Sequence, residues 1–284
     1  MRARFGFHLS IRGGVLSAAS EAARKNYRAF QLFVSNPRSW SVTHSPSEQA
    51  TRFAESNSTH NIMAFAHMPY LCNLSSPRKN IAAKSIESAI ENINECNALN
   101  VRYLVFHMGS HLGAGRSVGM ANIIKALGSI LDRSKHCDLL LENSAGYNNS
   151  MGSKINEMAE VLEAIDSKRL GICLDTCHLF AAGYDLRDEK AVARLDGEFM
   201  RLIGAKKLKL VHLNDSRFGL GSGLDRHWHI GRGYIGRAGF INVFKSKVLG
   251  NGPFIMETPY ENERSEEMNL SAALNFYREA NALE

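Results

Sequence analysis

The 284-residue chain predicts an α/β fold: a single (β/α)8 TIM barrel with a metal site at the C-terminal ends of its strands, one catalytic domain over residues 1–284. Three observations point there. Eight short, apolar, β-prone runs recur along the chain, each followed by a longer stretch with helical spacing. The runs are apolar enough to be buried on both faces, as the strands of a parallel sheet are. The GxGxxG phosphate fingerprint that would favour an open doubly wound sheet is missing after the first run, where only Gly13-Gly14 stands.

The predicted strands are residues 4–8, 29–34, 63–67, 103–107, 138–142, 171–175, 208–212 and 254–257. The predicted helices fall near 15–27, 47–59, 78–99, 118–135, 153–166, 189–204, 237–248 and 263–281. Ser17, Ser47 after Pro46, and Ser153 supply expected helix caps. No apolar run approaches the roughly 18 residues of a bilayer span, and Met1 to His8 reads as a strand rather than a secretory h-region. The expectation is a soluble, cytoplasmic, non-secreted protein. Five cysteines, an odd number without CxxC spacing, argue against a disulfide framework or a thiolate zinc site. Buried free thiols are the expectation, with a Cys173–Cys177 pairing held as the minority alternative.

Active sites of such barrels lie at the C-terminal strand ends, so the last residue of each run is a test of function. The runs end in His8, Ser35-Asn36, His67, His107, Glu142, Asp175, His212 and Glu257. One histidine at a strand end is ordinarily structural. Seven of eight ends bearing His, Asp or Glu converge on one mouth, where cations must offset their repulsion and desolvation. His178 follows Asp175 by three residues, and the loop after the seventh strand adds Asp225 and His227, with His229 on the same side of an extended segment. The donor set is then His67, His107, Glu142, Asp175, His178, His212, Asp225, His227 and Glu257. Carboxylate and imidazole donors suit zinc, manganese or iron, and nine ligands imply two or three ions. His229 is expected to steady a ligand, and His8 to help bind phosphate or water. His44, His60, His111 and His136 are expected to be solvated or packed.

The net charge of +6 is uneven. Residues 201–250 hold ten lysines and arginines against Asp215 and Asp225, an excess that would draw a polyanion. Six glycines between Asp215 and Gly236, among Arg217, Arg226 and Arg232, are expected to bring backbone amides to a phosphate. Arg38 and Trp40 after the second strand, and Tyr70-Leu71 after the third, put basic and wedge-like side chains at the mouth, though Trp40 can equally pack.

At these residues the chain resembles the endonuclease IV family of apurinic/apyrimidinic (AP) endonucleases, over essentially its whole length. The most specific stretches are Phe106-His107-Met108-Gly109-Ser110-His111, Leu174-Asp175-Thr176-Cys177-His178 onward to Asp185, and Val211-His212-Leu213-Asn214-Asp215 followed by Asp225-Arg226-His227. The resemblance implies a zinc-dependent barrel that cuts DNA 5′ to an abasic site, leaving 3′-hydroxyl and 5′-deoxyribose phosphate ends, together with a 3′-phosphodiesterase activity on blocked ends. It implies three zinc ions, with manganese the alternative at one of them. His67 and His107 would hold one, Glu142 would bridge it to a second that also takes Asp175, His212 and Glu257, and His178, Asp225 and His227 would hold the third. It also implies duplex contacts from Arg38, Tyr70 and Leu71, in a protein acting as a monomer; Arg226 is expected to add charge for the DNA phosphate, and Glu142 and Glu257 to be catalytic. Met68-Pro69, and a glycine-poor stretch from Ser144 to Gly152, depart from the family's usual loops. The rival readings are a metal-dependent sugar(-phosphate) isomerase or epimerase, which needs fewer ligands, and a non-catalytic zinc-dependent binder of abasic DNA.

Overall fold

A computed structural model describes residues 3–282. Eight parallel strands close a barrel: β1 (Phe5–Leu9), β2 (Ala29–Phe33), β3 (Met63–His67), β4 (Tyr103–His107), β5 (Asp138–Glu142), β6 (Leu170–Asp175), β7 (Leu208–His212) and β10 (Phe254–Met256). Each pairs with its neighbours in chain order, and β10 closes on β1 in the register Phe5 with Phe254 and Phe7 with Met256. The helices are α1 (Val15–Arg24), α2 (Ser47–Thr59), α3 (Lys79–Ala98), α4 (Arg116–Arg133), α5 (Ile155–Ile165), α6 (Thr176–Ala181), α7 (Glu189–Leu202), α8 (Gly236–Lys245) and α9 (Glu263–Asn281).

The strands alternate, so each supplies two cores. Phe30, Leu104, Leu139, Leu141, Val211 and Phe254 pack outward against the helices. Ala29, Phe65, Val105, Leu140, Cys173, Leu210 and Ile255 fill the barrel with one apolar layer. Gly6 is required on β1, because a methyl group there would overlap the Ala29 carbonyl of β2. At the seam, Phe5 stacks on Phe254 at 4.9 Å, with Phe244 and Tyr277 edge-on to it.

Several local features differ from expectation. Ser17, Ser47 and Ser153 cap nothing: α1, α2 and α5 start after Gly14, Pro46 and Lys154 without side-chain caps, and the Ser17 hydroxyl donates back to the Gly14 carbonyl. Asp175, Asp188 and Asn262 do the capping instead. α8 stops at Lys245 because Asp196 captures the Ser246 hydroxyl and the amides of Lys247 and Val248, which ends the helical ladder. The short helix α6 and a two-residue hairpin, β8 (Asp215–Ser216) with β9 (His227–Trp228), are too brief for a periodic signal, yet both carry site residues. All five cysteines are free, including Cys173 inside the barrel and Cys177 on α6. No helix among the described residues is long and apolar enough to cross a membrane.

Candidate metal centre

The upper end of the barrel interior is polar where the layer beneath it is apolar. His67, His107, Glu142, Asp175 and His212 end their strands there, and Glu257 follows β10 directly. Asp175 also caps α6, its Oδ1 accepting the His178 amide at 2.8 Å, and this turn carries the His178 ring into the mouth. The β8–β9 hairpin delivers Asp225 and His227.

The nine donors gather into three groups whose ligand atoms lie within 4.8 Å of one another: His67, His107 and Glu142; Glu142, Asp175, His212 and Glu257; and His178, Asp225 and His227. A further grouping places Cys177 beside Asp175 and His227. Glu142, only 1% exposed, is shared by the first two groups. Its Oε2 is 3.1 Å from His67 Nε2 and 3.4 Å from His107 Nδ1, and its Oε1 is 2.9 Å from His212 Nδ1.

The imidazoles are oriented from behind. His67 Nδ1 donates to the Met68 carbonyl at 2.8 Å, His178 Nδ1 to the Asn143 carbonyl at 2.9 Å and His227 Nδ1 to the Glu257 carbonyl at 3.3 Å, which leaves each Nε2 with a lone pair facing inward. The Nε2 atoms of His178 and His227 are buried and have no hydrogen-bond partner. Asp225 Oδ1 lies 3.1 and 3.3 Å from them, but at angles unsuited to a hydrogen bond. Buried imidazole nitrogens left unpaired beside a carboxylate are costly unless a cation sits among them. The donor set therefore fits divalent ions.

Electrostatics agree. Burial alone would raise the Glu142 carboxyl, but His107 and His212 outweigh it and hold it well below the ordinary carboxylate range. Glu257 is depressed against burial by His212 and His8. Burial opposes protonation of His178, yet Asp175 and Asp225 raise it well above the ordinary imidazole value. Without metal the carboxylates of the mouth draw protons to His178 and His212, and the same potential attracts cations.

Arg38, Tyr70, Leu71 and Arg226 all lie on loops that leave this end of the barrel, exposed to solvent. The Tyr70 ring meets Phe33 edge-on at 5.2 Å and Arg226 Nη1 donates to the Asp225 carbonyl. Trp40 packs, with Lys84 of α3 over its ring.

Other expectations are corrected. His229 steadies no ligand directly: the extended hairpin ends at Trp228, the chain turns, and the ring accepts from Asn269 of α9. His8, expected to help bind phosphate or water, lies with Nδ1 against Glu257 and Gln31, and burial lowers its pKa. Most of the loop's glycine amides are not free for a phosphate: buried Asp215 accepts those of Gly233 and Gly236, with Ser216 and Ile235, and the Phe180 and Ala181 carbonyls accept those of Gly221 and Gly223. Gly233 is needed there because a side chain would overlap Asp215 and the Ser216 carbonyl. The basic block also divides. Lys206, Lys207 and Lys209 lie at the start of β7, on the barrel floor, while Arg217, Arg226 and Arg232 lie on the mouth side. Sequence reasoning missed three buried amides, Gln31, Asn143 and Asn214. Asn214 donates to Asp175 Oδ2 and accepts the Glu257 amide; Asn143 accepts the Asp175 amide. Their signal is an amide standing alone in, or just after, an apolar strand.

The family model of the xylose isomerase-like TIM barrel matches residues 19–280. The chain is 37% identical over 277 residues to a protein of Nitrosopumilus maritimus named "Probable endonuclease 4", covering 96% of this chain and 99% of that one. It is 40% identical to the protein of the same name from Methanoculleus marisnigri, over 94% and 96% of the two chains. The crystal structure of endonuclease IV from Thermus thermophilus superposes with a TM-score of 0.83 at 34% identity, over 97% and 99% of the chains. D-psicose 3-epimerase from Clostridium cellulolyticum shares the fold, with a TM-score of 0.72 at 12% identity over 98% and 99% of the chains. The chain belongs to the endonuclease IV family of the xylose isomerase-like TIM barrels.

Proposed function

We propose that the protein is a metal-dependent DNA repair endonuclease that hydrolyses the phosphodiester bond 5′ to an abasic site, leaving a 3′-hydroxyl and a 5′-deoxyribose phosphate, and that also clears blocked 3′ ends. It would act as a monomer and as one catalytic domain. The observation that carries this reading is the cluster of nine inward-facing donors with two orphaned imidazole nitrogens, in a chain whose relatives are named endonuclease 4.

His67, His107 and Glu142 would hold one zinc; Glu142, Asp175, His212 and Glu257 a second; and His178, Asp225 and His227 a third, with manganese the alternative at one position. Divalent ions bound there supply Lewis acidity to the phosphate and lower the pKa of water towards about 7. Glu142 touches both of the first two groups and so fixes their spacing. Glu257, 20% exposed, would also orient the attacking water.

The rim supports a nucleic-acid partner. Of the ten exposed large hydrophobic side chains among the described residues, eight lie on loops following strand ends: Tyr70, Leu71, Leu112, Tyr147, Phe218, Leu220, Tyr234 and Tyr260. Aromatic side chains beside arginines are what a splayed or unstacked strand needs. Arg38, Tyr70 and Leu71 would enter the minor groove beside the lesion, and Arg226 would meet phosphate. The epimerase likeness extends to fold alone, so no observation favours that reading. Incubating the purified protein with an abasic-site duplex, with and without chelator, tests the proposal. Chelator-sensitive cleavage 5′ to the lesion is expected. Binding without cleavage by metal-loaded protein would overturn it.

A further inference from the structure

Gln31 is a fully buried primary amide at the centre of the apolar strand β2. Ala29 and Gln31 face the barrel interior while Phe30 and Leu32 face the helices, so Gln31 sits one level above the apolar layer, directly under the donor cluster. An amide there costs free energy unless both ends are bonded. Gln31 bonds at both. Its Nε2 donates to Glu257 Oε1 at 2.7 Å and lies 2.9 Å from His8 Nδ1, and its Oε1 lies 2.8 Å from His212 Nε2. The side chain reaches from β2 past β1 to the ends of β10 and β7.

Its orientation is forced. Only the NH2 end can face the Glu257 carboxylate, because the carbonyl would oppose it. The carbonyl end therefore faces His212, so His212 must carry its ring proton on Nε2. Nδ1 then faces Glu142 Oε1 at 2.9 Å and Glu257 Oε2 at 3.5 Å. Without metal a second ring proton on Nδ1 donates to Glu142; a divalent ion would take that proton's place, on the Nδ1 lone pair and beside the two carboxylates.

We propose that Gln31 is a positioning residue: by holding Glu257 and His212 at once, it sets His212 to bind the ion of the second group through Nδ1 and turns Glu257 Oε2 to the same point. This rests on the metal-centre reading above. His67, His178 and His227 have backbone carbonyls behind their rings, whereas His212 depends for this on one replaceable side chain.

The test is Gln31→Leu, which keeps the volume and removes both bonds, followed by chelator competition on the zinc-loaded protein and by abasic-duplex kinetics. Loss of a partner behind a metal ligand typically weakens metal binding by about 10–100-fold. The expected result is a loss of that size confined to one equivalent of zinc, with the other ions held as in the wild type and kcat lowered at unchanged KM. Retention of every ion within about twofold, or equal loss of all of them, would overturn the proposal; equal loss is what a merely structural role gives. Nitrogen NMR of the wild-type histidines in the zinc-loaded protein is independent of any folding defect. A proton on His212 Nε2 supports the proposal and one on Nδ1 overturns it. If the wild type takes up no ion at the mouth, the metal-centre reading fails and this inference with it. If zinc retention depends on Gln31 but abasic DNA is not cut, the functional reading fails and the positioning role stands.

Discussion

The two ends of the barrel are built from the same eight strands and share almost no chemistry. At the level of Phe65, Val105, Leu140 and Leu210 the interior is apolar, and Lys206, Lys207 and Lys209 lie at the floor end of β7. Above that apolar level, the mouth gathers the four carboxylates and five imidazoles of the donor groups, and amides such as Gln31 and Asn214 take up some of their hydrogen bonds. The apolar level pins the strand ends by packing, so the polar level above can keep donors in place that would otherwise repel one another. The difference teaches a division of labour: the lower end carries stability and the upper end carries chemistry, as the barrel architecture permits.

Substitutions that separate the ends test this division. Glu142→Ala at the mouth should lower cleavage of abasic duplex by more than about 100-fold, beyond what loss of an outer partner costs, while the circular dichroism spectrum stays native. Near-normal turnover by a folded, metal-analysed variant would break the comparison. Phe65→Ala one level down should do the opposite, costing about 3–5 kcal/mol of stability with activity per folded molecule retained. Denaturant unfolding and active-site titration measure the two terms.

pH separates the ends next. In the metal-free protein, His178 and His212 are raised, so their stabilisation is complete below the ordinary imidazole value of 6.5 and fades as pH rises towards their folded values. Glu142 and Glu257 are depressed, so theirs is present above the ordinary 4.5 and fades as pH falls. These four groups together contribute most between about pH 4.5 and 6.5, whereas His8 and His107, lowered by burial, cost stability as pH falls below 6.5. Metal must displace the imidazole protons, so the stabilisation added by zinc should grow as pH rises over the same interval. Thermal melts with and without zinc across that range check the reversal; parallel curves would count against it. The smallest effect concerns charge. Arg226→Ala on the mouth side should reduce the salt slope of duplex binding by about 1, and Lys209→Ala on the floor should leave it unchanged.

The barrel was legible because eight apolar runs alternate with helical spacing, and six of the nine donors were legible because each stands at the end of a run. His178 was read from its place three residues after Asp175, and Asp225 and His227 from their common side of an extended segment. What escaped has physical reasons. His229 shares parity with His227, but parity persists only while the strand does, and β9 ends at Trp228. The glycine-rich loop looked like an anion cradle because Asp215 gave no sign, along the sequence, that it would turn inward and take the amides itself. Gln31 reads as a misfit in a strand until the cluster above it is seen. Charge counted along the chain merges floor and mouth, since β7 carries its lysines to one end and its loop carries the arginines to the other.

The central claim is that the mouth is a metal centre. Anomalous X-ray scattering at the zinc edge, from crystals of protein purified without chelator, tests it directly. Three peaks within the mouth are expected, one at each donor group, with Glu142 shared between two of them. An empty mouth, or zinc held only elsewhere on the molecule, would contradict it.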